Sequence, residues 1–319
     1  ICAEDILKGE ELQQDGYVAA GGTEANMQAI WIYRNYFMQQ EHASISDICI
    51  ICSEDSHYSM NKAANVFNIP IRYIEVNNEN RSLNKNSLVD TIHQAQNSGI
   101  KHFIIVANMM TTMYGSVDDI DLYTAVLEEK KCSFKIHVDG AFGGFFYPFS
   151  NEANKLDFSH PKIDSITLDA HKMLQAPYGT GIFLIRKGYM QYTMTKEASY
   201  VKGEDYTLIG SRSGANAIAI WMILMTYGPY GWMEKIHTLI NRTDRFCKLL
   251  DKLNIEYFRH KNSNIVTIKA KYVTQEIATK YSLVPDNHQK PEWQKVVVMD
   301  HVNFEKLLPL VEDLKKNIA

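Results

Sequence analysis

Thr167-Leu168-Asp169-Ala170-His171-Lys172 is the stretch on which the fold turns. An apolar strand, Ser165 to Leu168, runs into a short polar turn carrying a lysine, where the strand of an open α/β sheet ends and a cleft begins. Upstream, by the length of one crossover, His137-Val138-Asp139-Gly140-Ala141 repeats the pattern: an apolar strand closing on a carboxylate. Two such strands laid side by side and parallel bring Asp139 and Lys172 to one sheet edge. Singly, each has an ordinary role, the lysine as a surface charge and the aspartate as a helix cap. Together they describe a site.

An amine and an acid converging on one cleft are what pyridoxal phosphate (PLP) needs. Its aldehyde condenses with a lysine amine, and its pyridine nitrogen requires an acidic partner to stay protonated and draw electrons from the substrate. The first part of the chain offers a place for the phosphate. Tyr17 to Ala20 reads as a strand, Gly21-Gly22-Thr23 as a tight turn, and Glu24 onward as a helix with Ala25, Ala29, Ile32, Tyr33, Tyr36 and Phe37 at helical spacing. Free N–H groups, the helix dipole and the Thr23 hydroxyl suit an anion there. The same G-G-T also reads as a plain N-cap, and it lacks the G-x-G-x-x-G spacing of a dinucleotide site. A buried strand over Asp47 to Cys52 leads to His57 at the start of a helix over Met60 to Val66, where an imidazole can cap the loop or stack on an aromatic ring. The strand Phe103 to Ala107 runs into Thr111-Thr112, whose hydroxyls face the same cleft if the strands are parallel.

Beyond Lys172, the strand Gly179 to Arg186 follows too closely for a helical crossover, which predicts an antiparallel return. Gly228-Pro229-Tyr230-Gly231 marks the best boundary, dividing a large domain over 1–230 from a small α+β domain over 231–319. The expected class is therefore α/β, with a mostly parallel central sheet, helices on both faces and a small C-terminal α+β unit.

Composition narrows the function. The chain has 319 residues, 45% hydrophobic and 22% charged, with a net charge of −4 and a pI near 6.3, so it has no long-range attraction for nucleic acid or an anionic membrane. No apolar run reaches bilayer length, and Ala215 to Tyr227 reads as a core helix. Five cysteines spread along the chain suggest reduced thiols and a cytoplasmic location. Cys49 and Cys52 form a C-x-x-C on a strand, where residues three apart face opposite ways, so both are expected in the core rather than at a metal or redox site. The sequence opens on Ile1 in mid-pattern, which leads us to expect a longer natural chain.

Six islands in order resemble the group II PLP-dependent amino-acid decarboxylases of fold-type I, the aspartate aminotransferase-like class. They are G-Y-V-A-A-G-G-T-E-A-N from Gly16, S-H-Y-S-M-N-K-A-A from Ser56, H-V-D-G-A from His137, D-A-H-K-M from Asp169, G-S-R-S-G from Gly210 and V-V-V-M-D-H-V from Val296. The likeness is nearest to short bacterial histidine decarboxylases and plant serine decarboxylases, with histidine as the best substrate guess. It implies a homodimer with shared active sites acting on a small-molecule amino-acid substrate. Lys172 would carry the cofactor, Asp139 would pair with its ring nitrogen, and Ala141 and His57 would lie on the ring's two faces. Gly22, Thr23 and His171 would hold the phosphate, helped by Ser211 from a neighbouring subunit, and Thr112 would sit beside the reacting carboxylate. Tyr200 or His57 would return a proton to the substrate carbon. Ala170 departs from the family's usual proline, and the family's pattern extends upstream of Ile1 into subunit contacts and part of the substrate pocket. Two other readings stay open: an aminotransferase or aldolase-type lyase on the same scaffold, the former wanting an arginine such as Arg259 for the α-carboxylate, or a non-catalytic subunit or fragment.

Overall fold

The computed structural model describes residues 1–195 and 203–318. Its first strand, β1 (Gln14–Ala19), passes through Gly21 into the long helix α1 (Gly22–Gln40). Glu24 ties that turn together: its carboxylate accepts the Ala20 N–H at 2.7 Å and the Tyr17 hydroxyl at 3.0 Å. There follow β2 (Ile48–Ser53), α2 (Ser59–Phe67), β3 (Ile71–Ile74), α3 (Lys85–Asn97), β4 (His102–Asn108) and α4 (Ile120–Glu129). Then come β5 (Ser133–Gly140), a one-turn α5 (Tyr147–Ser150), β6 (Ile163–Asp169) and β7 (Gly181–Arg186). These strands form one sheet in the order β1-β7-β6-β5-β4-β2-β3. β7 pairs antiparallel with both β6 and β1, the expected return, and the other pairings are parallel.

Every residue of β2, β4 and β6 is buried, as a sheet covered on both faces requires. The alternation of side chains divides the core in two. Ile48, Ile50 and Cys52 pack under α1 and α2, whereas Cys49 and Ile51 pack with α3 and α4 on the other face. The two cysteines thus sit on opposite sides of the sheet, each fully buried. The β5–β6 pairing shifts register between Ile136 and His137. The extra β6 residue is Asp164, whose carboxylate accepts the Ile136 N–H at 2.9 Å and so fills the bulge with a partner.

The C-terminal part begins with α6 (Gly214–Lys252), which is broken at Gly228 (φ 59°, ψ 179°), a conformation open essentially to glycine alone. Trp232, Ile236 and Leu239 pack into the large sheet's core, while Phe246, Cys247 and Leu250 pack with the small unit. That unit holds β8 (Tyr257–Phe258), β9 (Ile265–Lys269), α7 (Gln275–Lys280), β10 (Val284–Pro285), β11 (Trp293–Val297) and α8 (Phe304–Ile318). Its four strands form an antiparallel sheet, β10-β11-β9-β8. A division into domains within α6, with 1–230 and 231–319 as its two sides, remains a proposal. Among the described residues no helix is long and apolar enough to cross a membrane.

Candidate active site

Parallel strands end on one edge, so Asn108, Asp139 and Asp169 arrive together, with Ala20 just past β1, around a cavity of about 770 Å³. Asp139 stands in register with Asn108 of β4 and Thr167 of β6. Its carboxylate is 8% exposed and accepts the Ala141 N–H at 3.1 Å and the Asn26 Nδ2–H at 2.9 Å. Lys172 lies just past β6, its side chain 31% exposed and its Nζ 3.3 Å from Asp169 Oδ2. His57 lines the same cavity as Asp139, Lys172 and Asp169, and their charges bear on its ring. Burial is the larger effect and lowers its pKa. Its Nδ1 accepts the Ser59 N–H at 3.2 Å, which leaves the ring proton on Nε2.

Of the other residues singled out in the sequence, Gly22, Thr23, Thr112, Ala141 and His171 all line this cavity. Ser211 is exposed and does not line the cavity of its own chain. Tyr200 lies outside the described residues. Arg259 is committed elsewhere: it pairs with Asp244 and donates to the Ser263 carbonyl at 2.9 Å, away from the cleft. The arginine that an aminotransferase reading wanted is therefore not supplied there.

Several residues around the site carry no clear signal of their role in the sequence. Asp169, within D-A-H-K-M, is the ionic partner of Lys172 and lies 3.6 Å from His171 Nε2. Burial raises its pKa, against the lowering by Lys172 and His171. Asn26 was visible three residues beyond Thr23, but nothing in the sequence shows what an amide inside a helix will face. Lys295 had no signal at all. It comes from β11 of the small unit and donates to the Thr112 carbonyl at 2.9 Å; burial and then the charge of Lys172 lower its pKa.

Two observations test whether pyridoxal phosphate suits this set. A Cβ on Gly22 would stand 2.8 Å from Asp169 Oδ2 and 3.0 Å from the Ala141 methyl, so only a bare backbone fits where α1 begins and its N–H groups await an anion. Beside it, His171 Nδ1 and Asp169 Oδ1 are buried with no hydrogen-bond partner among the described residues, polar capacity that a bound polar group can use. The amine, the acid and the anion cradle fit the cofactor.

Similarities to known proteins agree. Residues 3–271 match the pyridoxal-dependent decarboxylase conserved domain. The chain is 52% identical to the tryptophan decarboxylase of Clostridium sporogenes, over 99% of this chain and 76% of that protein. It is 32% identical to the histidine decarboxylase of Vibrio campbellii, over 94% and 73%. In fold it is similar to the L-methionine decarboxylase of Streptomyces sp. 590, with a TM-score of 0.81 at 20% identity, covering 95% of this chain and 78% of that one. A cleft built for PLP and a match over most of its length lead to one conclusion: the chain belongs to the pyridoxal-dependent decarboxylases, carboxy-lyases that take carbon dioxide from an amino acid.

Proposed function

We propose that this enzyme decarboxylates an aromatic L-amino acid, with tryptophan the favoured substrate. The observation that carries the reaction is that Lys172, Asp139 and His57 open onto one cavity. The substrate rests on the 52% identity to a tryptophan decarboxylase, as against about 32% for the histidine enzyme, and on an apolar lining that includes Met27, Met110, Phe142, Leu208 and Ile209. When bound, PLP supplies an electron sink for the pair left behind as carbon dioxide departs.

The protein's part is to hold and orient. Lys172 would hold the cofactor through its amine, and Asp169, 3.3 Å from Nζ, would keep that amine in place and offer a carboxylate to its proton. Asp139 would pair with the ring nitrogen, with Ala141 and His57 against the ring. Gly22, Thr23 and His171 would hold the phosphate, joined by Ser211 of a second subunit. Lys295, anchored on the Thr112 carbonyl, brings positive charge to the place where the substrate carboxylate lies beside Thr112. Tyr200 or His57 returns the proton to the substrate carbon.

The second subunit of a homodimer finds support in α6. Ile218, Trp221, Met222 and Met225 fall at helical spacing on its first half, each more than half exposed. The five cysteines are free thiols, in keeping with a cytoplasmic enzyme.

A mass-spectrometric screen of amines and oxo acids formed from the twenty amino acids tests this reading. Tryptamine with equimolar carbon dioxide is expected. Histamine as the main amine would overturn the substrate, and an oxo acid would overturn the reaction.

A further inference from the structure

Beside Asp139 a buried file of polar side chains crosses from β5 and β6 to α1, ending at Asn26, which also lines the cavity. Asn26 is 1% exposed. One proton of its Nδ2 goes to Asp139 Oδ2 at 2.9 Å and the other to Ser59 Oγ at 3.1 Å. Ser59 Oγ lies 2.9 Å from His57 Nδ1. One amide is thus bonded directly to the acid at the cofactor nitrogen and, through a single hydroxyl, to the imidazole over the ring.

An amide can be seated in two ways, and the wrong one would turn its oxygen toward the Asp139 carboxylate. The seat found here, with Oδ1 toward His137, fits a single hydrogen-bonding pattern. His137 is wholly buried, which pushes its pKa down to about 4, so at working pH it is neutral, with one donor nitrogen and one acceptor. Its Nε2 lies 2.9 Å from Asn26 Oδ1, an atom that can only accept, so Nε2 bears the proton. Thr167 Oγ1 lies 3.2 Å from the same nitrogen and can share that proton. Nδ1 is then the acceptor, 2.7 Å from Ser165 Oγ, and Ser165 in turn receives the Tyr33 hydroxyl. Every proton in the file points the same way, from Tyr33 through Ser165, His137 and Asn26 to Asp139.

We propose that Asn26 is a positioning residue, set by the Tyr33-Ser165-His137 file, which locks Asp139 and His57 into one unit and so fixes the protonation of the ring between them. The proposal rests on reading Asp139 and His57 as cofactor contacts. Its consequence is that a change at Tyr33, which does not line the cavity, alters the protonation of the ring and not just the stability of the fold.

The test uses the holoenzyme and the visible absorption band of its bound cofactor, titrated with pH, together with PLP affinity of the apoenzyme and the melting temperature. Asn26→Asp sets a second acid against Asp139, so the band's pH midpoint is expected to move by about one unit or more and PLP affinity to fall by about tenfold. Tyr33→Phe keeps the packing and never meets the cofactor; it is expected to move the midpoint in the same direction by less, and it decides the matter if Asn26→Asp does not fold. Asp139→Asn is the reference. If Asp139→Asn shifts the band while Asn26→Asp and Tyr33→Phe change only the melting temperature, the file is structural and the proposal is wrong. If Asp139→Asn itself leaves the band in place, the reading of Asp139 fails first.

Discussion

Strands β5 and β6 carry a lysine with a carboxylate at each end, and the two clusters differ in what they leave unused. At the N-terminal end Lys135 Nζ meets Asp164 at 3.1 Å and the Tyr189 hydroxyl, under the rings of Tyr36 and Tyr189. Asp164 spends its other oxygen on the Ile136 N–H in the bulge, and both side chains are largely buried. At the C-terminal end Lys172 touches Asp169, but the amine is open to the cavity, and Asp169 Oδ1 and His171 Nδ1 have no partner among the described residues. The same residue types make a closed structural pair at one end and a reactive one at the other. Unused valence and access separate the two, and residue identity does not.

Exchange of the lysines is the sharpest way to break this comparison. Lys172→Ala is expected to lower turnover by roughly 10³-fold or more, the range lost with a group that takes part in the chemistry, with little change in the melting temperature. Steady-state amine production alongside calorimetry reads both. Lys135→Met is expected to do the reverse. It leaves Asp164 buried without its cation, at a cost of about 3 kcal/mol in a denaturant melt, with turnover per folded molecule nearly unchanged. Equal losses of activity in the two variants would erase the distinction.

Much of this was legible beforehand for a physical reason. Strand ends in a parallel sheet share an edge, so a strand closing on Asp139 and another closing near Lys172 could be placed together from apolar runs and turn lengths alone. The antiparallel β7 followed from the short link after Lys172. What could not be read depends on contacts remote in sequence. The register shift at Ile136, which gives Asp164 its partner, has no signature in the chain. Lys295 reaches the Thr112 carbonyl from the other sheet. Asn26 sits inside a motif that had been read for its glycines and threonine. Trp232, Ile236 and Leu239 lie beyond the Gly228 break yet pack with the large sheet's core, because the helix past the break still runs along that surface.

A third buried acid sharpens the contrast, having no salt-bridge partner among the described residues. Asp118 accepts the backbone and side-chain N–H of Asn108, each at 2.8 Å, and Asn108 lies beside Asp139 in the sheet. Burial pushes its carboxyl up to about 7, against the lowering by those two bonds. The folded value lies above the ordinary 3.8, so between the two the native state keeps a proton that the unfolded chain has lost. Stability from this group therefore falls as pH rises from about 4 toward 7, by up to about 1.4 kcal/mol per unit. Urea midpoints at pH 5 and pH 7 are expected to converge in Asp118→Asn relative to the unaltered enzyme. A slope that survives the substitution would assign it to another group.

The smallest effect expected is at the closed end. Tyr189→Phe keeps the ring over Lys135 and removes only the hydroxyl that the ammonium meets. The aliphatic stem stays packed, Asp164 still holds the charge at 3.1 Å, and the lost bond is expected to cost about 1 kcal/mol. Burial lowers the pKa of Lys135, and Asp164 and Tyr189 more than offset it, so the net shift is upward. A raised ammonium contributes stability that is complete below the unfolded lysine value and fades as pH climbs through the folded one, so the difference between Tyr189→Phe and the unaltered enzyme should shrink in strongly alkaline buffer. Melts at pH 7 and above pH 10 measure that difference. A gap that stayed constant across them would mean that the hydroxyl acts by packing alone, and that the closed pair owes its stability to shape more than to charge.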